Sequence, residues 1–160
     1  MSATDFTFTS IDGAPLPLKE FAGRPILVVN VASACGFTPQ YAGLQELHQK
    51  MGPRGLVVLG VPSNDFGAQE PGSESEIKRF CETGYGVSFP MTAKQKVIGA
   101  DAHPLYRWIA DQLGEDAAPK WNFHKYLIGR DGELVDAWPS RVAPTAQPIV
   151  GAIESALAAR

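Results

Sequence analysis

Two cysteines, Cys35 and Cys81, are the only thiols in this chain of 160 residues. A thiol becomes a nucleophile when its surroundings favour the anion. Cys35 lies just after the apolar run Ile26–Val31 and just before Thr38-Pro39, a hydroxyl residue followed by proline that predicts a helix start. The free N–H groups and the dipole of a helix N-terminus favour negative charge, so a thiol held there is available as thiolate at neutral pH. Position alone leaves a second reading open, a small buried apolar side chain, because free cysteine is among the most buried residue types. Gly36 and Pro39 favour a shaped turn over packed core. A dithiol oxidoreductase would carry cysteine at both ends of the window 35–38; here the second place is Thr38, which disfavours C-x-x-C disulfide exchange.

Two later patches offer uncharged hydrogen-bond donors. Gln69 sits in a glycine-rich loop, Ser63–Gly72, and Trp121-Asn122 precede an apolar run. Carboxamide and indole N–H groups donate without charge and suit a sulfur anion or a reacting oxygen. Taken singly, each has a plainer reading: a solvated loop glutamine, a core or lid tryptophan. His48, His103 and His124 are scattered and never near a cysteine, so no zinc spacing exists.

These residues need elements to position them. Phe6-Thr-Phe-Thr9 alternates and meets Asp12-Gly13, a hairpin signal. Ile26–Val31 and Leu56–Val61 read as buried strands. A helix is expected from Thr38 to about Met51, another from the Ser73/Glu76 capping box to about Glu82, and a third from His103-Pro104 through Gln112. Asn122–Ile128 and Glu133–Ala137 read as strands joined by the turn Arg130-Asp131-Gly132, and Pro148–Ala159 as a closing helix. Parallel β-α-β units followed by an antiparallel hairpin imply an α/β domain with a central mixed sheet flanked by helices and an N-terminal β-hairpin, the layout of a thioredoxin-like fold. The expected organisation is one domain over 1–160.

Composition narrows the class. Net charge is −3, with no basic run longer than Lys78-Arg79, which disfavours binding to nucleic acid or anionic membranes. The apolar runs are too short to span a bilayer. No secretory signal is visible at the start; if the chain is complete as written, the cytoplasm is the expected compartment. Two cysteines do not make a disulfide scaffold.

Three motifs now stand in order: Asn30-Val-Ala-Ser-Ala-Cys-Gly-Phe-Thr38, Val61-Pro-Ser-Asn-Asp-Phe-Gly-Ala-Gln-Glu-Pro-Gly72 and Trp121-Asn-Phe-His-Lys-Tyr-Leu127. Together they resemble the three motifs of glutathione peroxidases, and the match spans nearly the whole chain. The resemblance implies that Cys35 attacks the hydroperoxide and becomes a sulfenic acid, with Gln69, Trp121 and Asn122 completing a catalytic tetrad. It implies no bound cofactor, only an external thiol reductant. Thioredoxin-using members carry a resolving cysteine in the helix that here holds Cys81, so a Cys35–Cys81 disulfide reduced by thioredoxin is implied. Against this, Ile77, Phe80 and Cys81 share a helical face, the pattern of packed core, and a disulfide needs Cα atoms within about 7 Å, so the helix would have to unwind. Many relatives have cysteine at the place of Ser63 and glutamine at that of Asp65. Tetrameric relatives carry a longer insertion than Gly114–Lys120, so a monomer is expected. No arginine or lysine cluster marks a glutathione carboxylate site, which tilts the reductant toward thioredoxin. A glutathione-dependent one-cysteine peroxidase, a peroxide-sensing relay protein and an inert thioredoxin-like binding module remain as alternatives.

Overall fold

In a computed structural model of the chain, residues 2–159 are described. Ile26–Val31 forms β3, with all six residues buried. It lies inside a four-stranded mixed sheet. Val57–Pro62 (β4) pairs with it in parallel. Lys125–Ile128 (β5) pairs antiparallel on its other side, and Leu134–Trp138 (β6) closes the edge. A strand buried on both faces reads as a continuous apolar run, which is why β3 and β4 were legible. Thr7–Thr9 (β1) and Pro15–Pro17 (β2) form the separate N-terminal hairpin, with Gly13 in its turn at φ +92°.

Alternate side chains of the strands go to opposite faces. Leu27, Val29, Val31 and Val58 pack against Gln40–Met51 (α1), Glu74–Tyr85 (α2) and Gln147–Ala158 (α4), through Tyr41, Leu44, Ile77, Cys81 and Ile153 among others. Ile26, Val28, Leu59 and Tyr126 pack against Pro104–Leu113 (α3) and Phe8 of the hairpin. This is the thioredoxin-like arrangement that the element order implied. Among the described residues no helix is long and apolar enough to cross a membrane.

Three boundaries differ from the sequence expectation by more than one residue. The first helix begins at Gln40, not Thr38, because the Thr38 hydroxyl turns back to the Cys35 loop rather than capping the helix. The third long strand begins at Lys125, not Asn122, because Phe123 takes the left-handed region at φ +65° and breaks the extended run. Helix α2 continues past Glu82 to Tyr85 before Gly86, at φ +62°, ends it. Its start is as expected. The Ser73 hydroxyl accepts from the Glu76 N–H at 3.3 Å, and the Glu76 carboxylate accepts from the Ser73 N–H at 3.2 Å.

Ser73→Ala should therefore cost about 1 kcal/mol of stability. Urea unfolding of the two proteins, compared at equal m-value, measures it; an unchanged midpoint would show that the cap contributes nothing.

Candidate active site

Cys35 lies in the loop that leaves the carboxyl end of β3, the end of an α/β sheet where ligands usually bind. It is nine-tenths buried and unpaired. A series of tight turns carries the chain from it into α1: the Thr38 N–H donates to the Cys35 carbonyl at 3.0 Å and the Gln40 N–H to the Phe37 carbonyl at 2.8 Å. Thr38 holds the loop closed. Its hydroxyl donates to the Ala32 carbonyl at 2.9 Å and accepts from the Cys35 N–H at 2.9 Å. The hydrogen bond to Cys35 Sγ comes from the Phe37 N–H at 3.3 Å.

Gln69 belongs to the loop after β4. Two consecutive left-handed residues, Gly67 at φ +67° and Ala68 at φ +52°, turn that loop inward. Any side chain at 67 would be strained by that φ, and its Cβ would meet the Trp121 ring at 3.1 Å. Gln69 is joined to the Cys35 loop through its backbone, its carbonyl accepting from the Ala34 N–H at 3.0 Å. Its side chain accepts from the Asn122 amide at 2.9 Å. That bond uses the Gln69 oxygen and leaves the Gln69 NH2 free to donate elsewhere. The Trp121 ring packs on Phe66 with centroids 5.8 Å apart.

The structure thus brings Gln69, Trp121 and Asn122 together and ties that group to the Cys35 loop. Among the described residues none of the three side chains is hydrogen-bonded to Cys35 Sγ; the backbone of Phe37 is. Cys81 lies elsewhere, on the inner face of α2 and fully buried. Burial pushes its thiol up to about 11. Ile77 shares its face as expected, whereas Phe80 is only half-buried, beside Tyr41 and Tyr85. Ser63 is buried at the end of β4, and the Asp65 carboxylate accepts the Val97 N–H at 2.6 Å, so both departures from the family pattern have structural employment.

Several residues were missed by reading the sequence. Asn30, the one polar residue of β3, donates its amide to the Trp121 carbonyl at 3.0 Å, and its own carbonyl accepts from the Phe123 N–H at 2.6 Å. An amide inside an apolar strand was the available signal. Lys125 is fully buried; its Nζ donates to the carbonyls of Phe123 at 2.7 Å and Ser140 at 3.0 Å. Ser140 also receives the Gln40 side-chain amide at 2.8 Å. Lys125 therefore staples the left-handed turn beside Asn122 to the start of α1.

The model of the family described as glutathione peroxidase matches residues 3–110. Over 147 residues the chain is 47% identical to a hydroperoxy fatty acid reductase of Synechocystis, covering 87% of each. It is 47% identical to a glutathione peroxidase-like peroxiredoxin of Schizosaccharomyces pombe, covering 83% of this chain and 85% of that one. A solved T. cruzi GPX1 structure superposes with a TM-score of 0.78 at 30% identity, covering 98% of this chain and 97% of that one. A thiol at the carboxyl end of a buried strand in a thioredoxin-like fold defines a class of thiol-dependent oxidoreductases. Within it, the chain belongs to the glutathione peroxidase family and is a peroxidase.

Thr38→Val keeps the shape but orphans the buried Cys35 N–H and Ala32 carbonyl, and should cost about 1–3 kcal/mol in urea unfolding; a variant as stable as the parent would show that neither bond matters. Burial brings Lys125 from 10.5 down to about 7. Between those limits the unfolded chain binds a proton that the folded chain does not, so this contribution to stability is complete above the unfolded value and is lost as pH falls through about 7. The stability of the parent protein relative to Lys125→Met should therefore rise from mildly acidic to alkaline pH. A pH-independent difference would contradict the assignment.

Proposed function

We propose that Cys35 is the peroxidatic residue of a thiol peroxidase working as one domain. Its sulfur attacks one oxygen of the hydroperoxide, the O–O bond breaks, and the second oxygen leaves and takes up a proton as alcohol or water. Cys35 is oxidised by two electrons to the sulfenic acid. Gln69, Trp121 and Asn122 supply N–H donors that orient the peroxide and stabilise the oxygen on which charge develops. The observation that carries this reading is the junction itself: a nearly buried thiol with a backbone N–H on its sulfur, in a loop bonded directly to the Gln69 backbone, with Gln69 bonded to Asn122.

The substrates proposed are hydrogen peroxide and organic or lipid hydroperoxides, in keeping with the name of the Synechocystis relative. The reductant proposed is thioredoxin, acting on a disulfide between Cys35 and the resolving Cys81, in keeping with the peroxiredoxin name of the S. pombe relative. Because Cys81 is fully buried, the last turn of α2 must open for it to reach Cys35. The same burial favours a second reading, in which Cys81 is structural and glutathione reduces Cys35 directly. A monomer is proposed, with Gly114–Lys120 folded into a short turn, and the cytoplasm as the compartment.

Cys35→Ser should abolish peroxide consumption; full activity in that variant ends the proposal. Cys81→Ser should still be oxidised once by peroxide, but should lose turnover coupled to thioredoxin. If thioredoxin-coupled turnover survives and the oxidised parent shows no loss of two hydrogens by mass, the one-cysteine reading takes its place.

A further inference from the structure

Asn30 is fully buried in the strand that leads into the Cys35 loop. A carboxamide among apolar neighbours is costly unless it is bonded. Its Oδ1 has no hydrogen-bond partner among the described residues. The bonds it does make all go to one place. Its Nδ2 donates to the Trp121 carbonyl at 3.0 Å, and its backbone carbonyl accepts from the Phe123 N–H at 2.6 Å. These two groups belong to the peptide that enters Asn122 and the peptide that leaves it. Each peptide is a rigid plane, so holding both sets the direction in which the Asn122 side chain leaves the backbone.

No sheet pairing fixes this segment, because β5 begins only at Lys125. The backbone there is also strained. Phe123 sits at φ +65°, a region that bulky residues keep only where their surroundings over-determine it. Asn30 holds its N–H, and Lys125 Nζ holds its carbonyl at 2.7 Å. Asn122 is fully buried, and its amide donates to Gln69 Oε1 at 2.9 Å. Contacts run without a break from Asn30 through Asn122 to Gln69. The bonds that shape the Cys35 loop are separate ones: the Cys35 N–H goes to Thr38, and its sulfur accepts from the Phe37 N–H.

We propose that Asn30 is a positioning residue for the peroxidase step, setting the Asn122 carboxamide, and through it that of Gln69, against the leaving oxygen of the hydroperoxide. The inference rests on the reading of Gln69 and Asn122 as donors to the peroxide. Asn30 touches neither the substrate nor the sulfur. Strand β3 carries both halves of the site, the loop with the nucleophile at its end and the clamp on the donors within it. An apolar residue at 30 could still pair with Val61 of β4, but it would release the Trp121 carbonyl. A displacement of about 1 Å is enough to slow such a reaction on the order of 100-fold.

The test compares two electrophiles on the reduced full-length protein. Hydrogen peroxide needs a donor for its leaving oxygen. Iodoacetamide, which expels iodide, needs none and reports the nucleophilicity of Cys35 alone. Mass spectrometry of the peptide that holds Cys35 follows the loss of its thiol in both reactions. Asn30→Val should react with peroxide on the order of 10- to 100-fold more slowly than the parent, and with iodoacetamide within about twofold of it. Asn30→Ala loses the same bond without adding a branched side chain and should show the same split. Asn122→Ala should be slowed toward peroxide at least as much. Adding Asn30→Val to it should slow it by no more than about twofold again, since the group that Asn30 positions is already gone. Oxidation of both Asn30 variants at the parent rate overturns the positioning role. So do equal losses toward the two electrophiles, which would make Asn30 a support of the Cys35 loop, and so do effects that multiply fully in the double variant. Oxidation of Asn122→Ala at the parent rate overturns instead the donor reading on which the proposal stands.

Discussion

Strand β3 is paired with β4 along its whole length but outruns β5 on its other side, and there the backbone groups at its carboxyl end must find partners elsewhere. Its antiparallel neighbour β5 pairs only as far as Val29. Past that point each buried carbonyl or N–H is met by a different segment. Asn30 is met by Phe123, Val31 by Ser63, Ala32 and Cys35 by Thr38, and Ala34 by Gln69. Buried backbone groups left unpaired cost as much as lost hydrogen bonds. That requirement converges three loops, distant in sequence, on one cysteine. The site is in this sense the way the strand end is satisfied.

The same economy bears on the buried ionisable groups. Lys125 is tolerated because two carbonyls accept from its Nζ, and those carbonyls belong to the turn beside Asn122 and to the segment that meets α1. It secures backbone that no sheet partner reaches. Glu70 is the opposite case, a buried side chain whose carboxyl oxygens have no hydrogen-bond partner among the described residues.

Helix α2 joins stability to chemistry. Its N-terminus is fixed by a reciprocal cap, while its C-terminal turn carries Gly84 and ends on a left-handed glycine. Both ends are closed locally, the C-terminal one by the Gly86 and Val87 N–H groups, which donate to the carbonyls of Glu82 and Cys81. Cys81 is buried against Tyr41 and Val87.

The central strands were legible from β3 and β4 because strands buried on both faces leave uninterrupted apolar runs, and α2 was legible because Ser73 and Glu76 satisfy its first turn locally. Cys35 could be singled out for the same local reason: it falls between a strand and a run of turns. The order of the three motifs carried the family. What the chain order could not show were contacts between residues far apart in it. Thr38 looked like a helix cap, and only the fold offered its hydroxyl the Ala32 carbonyl and the Cys35 N–H instead. Asn122 looked like strand until the Asn30 carbonyl fixed the Phe123 N–H in a left-handed turn. Local sequence determined where elements start and which thiol is exposed to a helix-like run of N–H groups, because those depend on neighbours along the chain. Tertiary structure alone decided which donors meet, which charges are buried and what surrounds Cys81, because hydrogen bonds and desolvation depend on neighbours in space.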